Sequence, residues 1–245
     1  GRALERFYPD RIEEHCEVLA HHFSRSANKE KALDYLELAN RKAANTNAVL
    51  DARGYFEEAM RVLDSLPDDT ARRRRRISLL VKQAHVFVLT NGGQEYQRYL
   101  DNSEAIAKGL GDDGLLGHFY ACRGHSEFMA GLARQAAETL TEAAALCERA
   151  GNFQGAGHAY AHLQWAQLQK GEYEDVLRLE AAALGSLARA PDVRLLVYSM
   201  GASAWACAML GRWDLALEKA KTSLRESERA RDASLMSYTY AFSFA

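Results

Sequence analysis

Apolar residues recur along this chain with the spacing of helices, in blocks separated by short polar or glycine-containing breaks. In 155–169, Tyr160, Leu163, Trp165 and Leu168 follow an i, i+3, i+5, i+8 pattern, which is typical of a helix with a broad buried stripe. The sustained apolar–polar alternation of a half-buried strand is absent from the sequence. The pattern predicts helices at 10–24, 29–45, 48–66, 70–90, 93–109, 113–130, 133–150, 154–170, 173–189, 193–210 and 213–229, and a truncated helix from 233.

The breaks between these predicted helices return at a fixed interval. Gly131, Gly171 and Gly211 are 40 residues apart, and a small apolar residue follows each of them by five positions. Glycine tolerates the left-handed backbone angles that end many helices, so each period is predicted to contain two turns and two helices. One helix pair cannot bury its apolar stripe alone, whereas stacked pairs bury it jointly. The sequence therefore predicts an all-α solenoid, in which the repeated small residues are Ala136, Val176 and Ala216.

The strings "LQWAQLQKGEYEDVLRLEAAAL" (163–184) and "SAWACAMLGRWDLALEKAKTSL" (203–224) resemble the tetratricopeptide repeat (TPR) family. The segment 19–39 carries small and apolar residues at the same family spacing, although the period of 40 exceeds the usual length of about 34 residues. The resemblance implies a right-handed superhelix of antiparallel helix pairs, with a concave face lined mainly by the first helix of each pair. We expect one solenoid over 1–245, with five to six helix pairs and the last one truncated.

A narrower resemblance covers 10–67, through the strings "RIEEHCEVLAHHF" and "EKALDYLELANRKA". This part is similar to the segment after the ATPase module in large bacterial signalling proteins. Those proteins join a class III adenylate or guanylate cyclase domain, or a DNA-binding module, to an AAA-type or STAND-type NTPase. The resemblance implies that cyclase and ATP chemistry belongs to upstream domains, and that these 245 residues are a fragment of a larger protein.

The composition agrees with a helical protein that interacts with neither nucleic acid nor membrane. The chain is 48% hydrophobic and has only three prolines, and its formal net charge of −2 provides no general attraction to nucleic acid. No apolar run reaches the roughly 18–20 residues that span a bilayer. The four cysteines are scattered, which indicates reduced thiols and a cytoplasmic location.

Motifs for an enzyme or a cofactor are absent from the sequence, which lacks G-x-x-x-x-G-K-[ST], G-x-S-x-G and H-E-x-x-H. We therefore expect no catalytic residue and no cofactor in this chain. His158 and His162 lie one helical turn apart and could hold a metal ion. Zinc normally takes three or four protein ligands, and no carboxylate or cysteine accompanies the pair at ligand spacing. The sequence alone therefore predicts no metal site.

Aromatic residues and histidines recur at the 40-residue period and form two predicted columns along the first helices of the repeats. The TPR resemblance places both columns toward the concave face, with Phe128 and Leu168 one turn further along. Such side chains suit capture of a peptide or small effector, because they supply contact area at low conformational cost. The alternative is that they only pack against the next repeat. One column is His85, His125, Trp165 and Trp205, and the other is His118, His158 and Tyr198.

Five consecutive arginines, Arg72, Arg73, Arg74, Arg75 and Arg76, form the strongest charge feature. They fall in the first turns of the predicted helix 70–90, where positive charge opposes the helix dipole unless acids offset it. Two interpretations remain open: a solvated face balanced by nearby aspartates, or a docking patch for an acidic domain or phosphate.

The sequence therefore favours a non-catalytic regulatory module that binds a protein or peptide partner, or its own upstream NTPase or cyclase domains. The alternative is a small-molecule sensor in a transcriptional regulator, because similar superhelical repeats serve sugar-responsive regulators. An independent enzyme is the least favoured of the three classes, since the sequence shows no cluster of reactive groups.

Overall fold

Helices account for 84% of the structure, a computed structural model that describes residues 2–243, and these residues contain no strand. The prediction of an all-α, TPR-like helical repeat fold is confirmed. A 3₁₀ helix spans Pro9–His15, and the α-helices are α1 Arg2–Phe7, α2 Cys16–Ser24, α3 Lys29–Asn45, α4 Val49–Asp64, α5 Thr70–Leu80, α6 Ala84–Leu89, α7 Gly93–Gly109, α8 Asp113–Met129, α9 Ala133–Ala150, α10 Phe153–Gln169, α11 Tyr173–Arg189, α12 Val193–Met209, α13 Trp213–Ala230 and α14 Ala233–Ser243.

Left-handed turn residues separate the helices at intervals of twenty residues. Gly111, Gly131, Gly151, Gly171 and Gly211 have φ angles between 62° and 81°, which glycine adopts without steric cost. Position 191 would continue this series, but it is a proline, whose ring fixes φ near −65°. The residue before it closes α11 at a φ of −132° instead. The predicted two turns per 40-residue period are thus present, with one turn of a different type.

Contacts divide the described chain into two compact units, which meet in sequence between Leu110 and Gly111. In the first unit, α2 packs on α3, α3 on α4, and α4 on both α5 and α6, while α7 packs on α5 and α6. The core of this unit includes Phe56 and Phe87, both fully buried, with ring centroids 5.6 Å apart in an edge-to-face arrangement. One solenoid over the whole chain stays a prediction.

The predicted helix 70–90 is broken between α5 and α6, and a buried amide pair lies at the break. Gln83 Nε2 donates to the carbonyl of Leu79 at 3.1 Å and to Asn40 Oδ1 at 3.0 Å. Asn40 Nδ2 donates in turn to Gln83 Oε1 at 3.1 Å. The carbonyl of Leu80 is occupied by the hydroxyl of Tyr96 at 3.1 Å. The backbone nitrogens of Lys82 and Gln83 also bond to the carbonyls of Leu79 and Leu80, three residues back, at 3.3 and 3.0 Å, so the backbone leaves the α-helix at 81–83 and starts again at Ala84.

The predicted helix 10–24 also differs, because its first part is the 3₁₀ helix and only α2 is α-helical. Pro9 occupies the first turn, and Arg11 has non-helical angles of φ −126° and ψ 27°. Arg11 Nε donates to Glu14 Oε1 at 2.9 Å, which joins residues three apart, the spacing that a 3₁₀ helix brings into line.

The second unit is a series of helix pairs, α8 with α9, α10 with α11 and α12 with α13, followed by α14. The first helices also contact one another, α8 with α10, α10 with α12 and α12 with α14. The small residues predicted at the repeat interval are buried, with Ala136 and Val176 at 0% exposure and Ala216 at 9%. Small side chains at these points allow neighbouring helices to approach closely.

Polar contacts join one pair to the next in this unit. Gln164 of α10 donates to the carbonyl of Val176 and to Ser203 Oγ, each at 3.1 Å, and accepts from Ser199 Oγ at 2.6 Å. The side chains of Gln164, Ser199 and Ser203 are fully buried. Each hydrogen bond therefore avoids the free-energy cost of a buried polar group without a partner. These bonds fix the register of α12 on α10.

No helix among residues 2–243 combines the length and the apolar character that crossing a bilayer requires. The four cysteines are all buried, and the described residues contain no disulfide.

Candidate functional site

The two predicted columns meet in the second unit as a group of adjoining rings on α8, α10 and α12. The rings of His118 and His158 lie 5.7 Å apart, and those of His125 and His158 lie 5.6 Å apart, both edge to face. His162 belongs to neither predicted column. The centroid of its ring lies 3.7 Å from that of His125 and 6.1 Å from that of Tyr198. The structure thus brings residues of both columns together and adds His162, and a binding role for the columns stays a prediction.

The histidine cluster, which we define as His118, His125, His158 and His162 together with Cys122, has short contacts between ligand-type atoms. His158 uses both ring nitrogens: Nε2 lies 3.4 Å from His125 Nδ1, and Nδ1 lies 3.8 Å from Cys122 Sγ. His162 Nδ1 lies 3.0 Å from the carbonyl oxygen of His158. The helix backbone therefore orients one ring of the cluster, and His158 links the others.

Burial controls the charge of this cluster, because each histidine is less than one-tenth exposed. Burial holds the pKa of His158 well below its usual value, and neighbouring His162, His125 and His118 lower it further. Burial also lowers the pKa of His162 to about 4, against the opposing effects of the His158 carbonyl and Asp192. These two imidazoles are neutral at pH 7.

Helices α8, α9 and α10 can approach one another closely because glycines, which have no side chain, lie at the contacts. A Cβ on Gly155 of α10 would lie 2.6 Å from Cys147 Sγ and 3.0 Å from His118 Cβ. A Cβ on Gly117 of α8 would lie 2.9 Å from the backbone nitrogen of Cys147. These glycines allow the helices that carry the histidines to pack at short range.

Tryptophan pairing continues the first column toward α12. The rings of Trp165 and Trp205 lie 6.3 Å apart at 82°, and Trp165 Nε1 donates to the carbonyl of Tyr198 at 3.0 Å. Phe128 and Leu168 pack against the same core as Trp165. Trp165 is only 9% exposed, so this part of the column packs neighbouring repeats together, whereas Trp205 is 37% exposed.

Several large apolar side chains of the last complete helix pair are exposed. Trp205 and Met209 are one turn apart on α12, and Trp213 and Leu217 are one turn apart on α13, with exposures of 37%, 53%, 69% and 47%. We call these four residues the α12–α13 apolar surface. The sequence interpretation included only Trp205. Trp213 precedes buried Ala216 and Ala220 by three and seven residues, so helical spacing alone does not distinguish it from a core residue.

His85, the fourth member of the first predicted column, lies on α6 in the first unit, where it is partly buried. Its place in a column with His125 stays a prediction.

The arginine run at 72–76 is surrounded by acids of the same chain. Asp69 caps α5 by accepting from the backbone nitrogen of Arg72 at 2.7 Å. The Arg73 guanidinium lowers the pKa of Asp68 by hydrogen bonding to it. Docking of an acidic partner on the run stays a prediction, and such a partner would compete with these acids. The ion pairs are Arg72 with Asp64 and Asp68, Arg73 with Asp68, Arg75 with Glu30, Asp34 and Glu37, and Arg76 with Asp64.

A surface groove of 410 Å³ lies in the first unit between α2, α3 and α4. Its lining combines the charged side chains of Glu17, Arg25 and Glu58 with Leu36 and the Tyr55 ring. The volume falls within the range of roughly 300–1,000 Å³ of small-molecule sites, but the lining is more charged than is usual for them.

Comparison with known proteins identifies the fold. No protein-family model and no curated protein matches the chain. Among solved structures, aspartyl phosphate phosphatase F from Bacillus subtilis superposes with a TM-score of 0.63 at 16% identity, over 96% of this chain and 62% of that one. A Rap protein complexed with Competence and Sporulation Factor gives 0.63 at 14% identity, over 97% of this chain and 70% of that one.

A third similar structure is a signal transduction ATPase with numerous domains (STAND) from Pyrococcus horikoshii, which has a tetratricopeptide repeat sensor. It superposes with a TM-score of 0.59 at 16% identity, over 99% of this chain and 37% of that one. The present chain therefore spans less than two thirds of aspartyl phosphate phosphatase F and about a third of the STAND protein. At these identities, the likeness shows a TPR-like helical repeat fold.

Proposed function

We propose that this chain is a non-catalytic regulatory module that binds a protein or peptide partner through the α12–α13 apolar surface. The observation that carries the proposal is the exposure of Trp213, at 69%, close in sequence to half-exposed Met209 and Leu217. Tryptophan is enriched at the energetic centres of protein interfaces, because its large rigid side chain gains much from burial. Concentrated apolar exposure marks surfaces that another molecule covers.

The finer part of the proposal concerns the parent protein. We place the chain in a cytoplasmic bacterial signalling protein whose upstream NTPase or cyclase domains contact the repeats. The resemblance of 10–67 to segments that follow an ATPase module supports this placement. The similarity in fold to a STAND protein with a tetratricopeptide repeat sensor supports it too.

A catalytic role is less well supported. The histidine cluster groups titratable side chains in the second unit, but each of its histidines is less than one-tenth exposed. A substrate must reach the reacting groups, and burial of the histidines prevents this contact. The phosphatase name belongs to the similar Bacillus subtilis protein, and we transfer no phosphatase activity to this chain.

Replacing Trp213 by alanine should weaken partner binding without destabilising the fold. The expected loss is about 2 kcal/mol of binding free energy, or about 30-fold in Kd, because a central tryptophan supplies much of an interface's energy. A photo-crosslinking amino acid at position 213 in the full-length polypeptide first identifies the partner by mass spectrometry. Calorimetric titration with that partner then gives Kd for the Trp213→Ala variant.

The control is Tyr240→Ala, which removes another aromatic ring of the second unit that is 54% exposed. We expect Kd to stay within about two-fold for this variant, because peripheral contacts contribute little. Crosslinks that form equally at positions 213 and 240, or equal Kd values for Trp213→Ala and the unsubstituted chain, would remove the α12–α13 apolar surface from the proposal.

The groove between α2, α3 and α4 favours a second candidate, a small-molecule sensor. A charged metabolite is the ligand class that the lining of Glu17, Arg25 and Glu58 suits. Screening phosphorylated and carboxylated metabolites by thermal shift should reveal a concentration-dependent rise in Tm that Arg25→Ala abolishes. A ligand at about 100 times its Kd adds about 2.7 kcal/mol to the free energy of unfolding. A rise that persists in Arg25→Ala would place the ligand elsewhere.

A further inference from the structure

Metal-ligating side chains of α8 and α10 converge in the second unit in a way that the proposed function does not use. They form two overlapping groups of three, and within each group the ligand atoms lie within 4.8 Å of one another. One group is His125, His158 and His162, and the other is His118, Cys122 and His158.

We propose that His125, His158 and His162 form a binding site for a divalent transition metal ion of the zinc class. Imidazole nitrogen binds Zn²⁺ at about 2.0–2.1 Å, so two such nitrogens around a tetrahedral ion stand about 3.4 Å apart. His158 Nε2 lies 3.4 Å from His125 Nδ1. Two of the three ligand atoms therefore already have the separation that a bound ion requires.

A hydrogen bond to the backbone orients the third ligand. The carbonyl oxygen of His158 lies 3.0 Å from His162 Nδ1, so Nδ1 carries the proton and donates it. The lone pair of His162 is then on Nε2, which is available to a metal ion. A carbonyl partner on the second ring nitrogen is the usual arrangement for metal-binding histidines, because it fixes both the tautomer and the ring.

The group that contains Cys122 is the competing site, because His158 belongs to both. The 3.8 Å between Cys122 Sγ and His158 Nδ1 exceeds the roughly 3.5 Å expected of nitrogen and sulfur around tetrahedral zinc. Cys122 is also fully buried and would have to lose its thiol proton to bind. His158 Nε2 and His125 Nδ1 already have the separation that tetrahedral zinc requires, so the three-histidine group is favoured.

An ion at this site would join α8 to α10 and so connect two successive repeats. The effect would be to brace the second unit, since a bound metal stabilises the state that holds its ligands in place. This inference is independent of the proposed function, because all three ligands belong to this chain and the test needs no partner.

The test is titration of the chelator-treated chain with ZnCl₂ and with CoCl₂. We expect one equivalent of Zn²⁺ to bind in calorimetry and to raise Tm. Bound Co²⁺ should give visible d–d bands without the near-ultraviolet charge-transfer band of a thiolate ligand. His125→Gln and His162→Gln should each lower zinc affinity at least about 100-fold, because changes to the outer partners of ligands alone cost about 10–100-fold.

Two variants serve as controls. Cys122→Ser should keep zinc affinity within about three-fold, because thiolate ligation belongs to the competing site. His21→Gln, which changes an exposed histidine of α2, should leave affinity unchanged.

Three results would overturn the inference: no zinc binding by the unsubstituted chain, unchanged affinity in both histidine variants, or loss of binding in Cys122→Ser. Circular dichroism verifies that each variant is helical. If one histidine variant unfolds, the other decides, and the cobalt spectrum of the unsubstituted chain distinguishes nitrogen from thiolate ligation without any variant.

Discussion

Replacing Phe56 by alanine is expected to lower the free energy of unfolding of the first unit by about 3–5 kcal/mol, the usual cost of deleting a buried phenylalanine ring. Phe56 is fully buried, and its ring lies 5.6 Å from that of Phe87 and 5.1 Å from that of Tyr99, edge to face in both cases. Phe87 is itself stacked on Tyr96 at 5.1 Å. These rigid rings cannot collapse into the space that the substitution leaves, so the cavity persists.

Urea unfolding followed by far-ultraviolet circular dichroism measures this loss. Leu50→Ala is the matched control, since Leu50 lies on the same helix, α4, and is 76% exposed. It should change the free energy of unfolding by no more than about 0.5 kcal/mol. The three tryptophans, Trp165, Trp205 and Trp213, all lie in the second unit, so their fluorescence reports that unit separately. A loss below about 1 kcal/mol in Phe56→Ala would show that the aromatic core does not hold the first unit together.

Adding one methyl group at Gly117 should destabilise the second unit by about 1–3 kcal/mol, because overpacking forces neighbouring atoms apart. A Cβ there would lie 2.7 Å from Cys147 Sγ, 2.9 Å from the Cys147 backbone nitrogen and 2.9 Å from Leu146 Cβ. The backbone atom cannot rotate away as a flexible side chain could. The helices α8 and α9 must therefore separate, and tryptophan fluorescence during urea unfolding should record the change.

Gly185→Ala adds the same methyl group as Gly117→Ala, but we expect it to raise the free energy of unfolding. Gly185 is an exposed residue of α11, and a Cβ built on it meets nothing within 4 Å. Alanine should raise the free energy of unfolding by up to about 1 kcal/mol, because it restricts the unfolded chain and favours the helix. Equal effects of Gly117→Ala and Gly185→Ala would contradict the close contact between α8 and α9.

The parts of the fold that depend on nearby residues could be predicted from the sequence. Gly131 and Gly171 supply left-handed turns because a residue without a Cβ adopts that conformation without steric cost. The break at 81–83 could not be predicted, because the buried side chain at this point, Gln83, pairs with Asn40, 43 residues away. Helical periodicity continues through the break and therefore gives no warning of it.

Within the candidate site, the sequence could predict only the alignment of residues that are 40 positions apart. His118 and His158 were aligned because they are 40 residues apart, but the contact between His125 and His158 joins residues 33 apart. That pairing depends on the relative height of α8 and α10, which pack closely where Gly155 approaches His118. The degree of burial could not be predicted from the repeat either. Trp165 and Trp205 occupy equivalent repeat positions, yet Trp165 is 9% exposed and Trp205 is 37% exposed.

Left-handed turn residues recur every twenty residues from Gly111 to Gly171 and again at Gly211, and this recurrence bears on how such a protein changes length over evolutionary time. Duplication or loss of a forty-residue block connects junctions that already have matching backbone geometry, so whole hairpins can be gained or lost without inventing a connection. Gains of other sizes would shift a left-handed conformation, which glycine adopts most readily, onto other residues and rotate the following apolar stripe toward solvent. Natural variants of this array should therefore differ by complete hairpins.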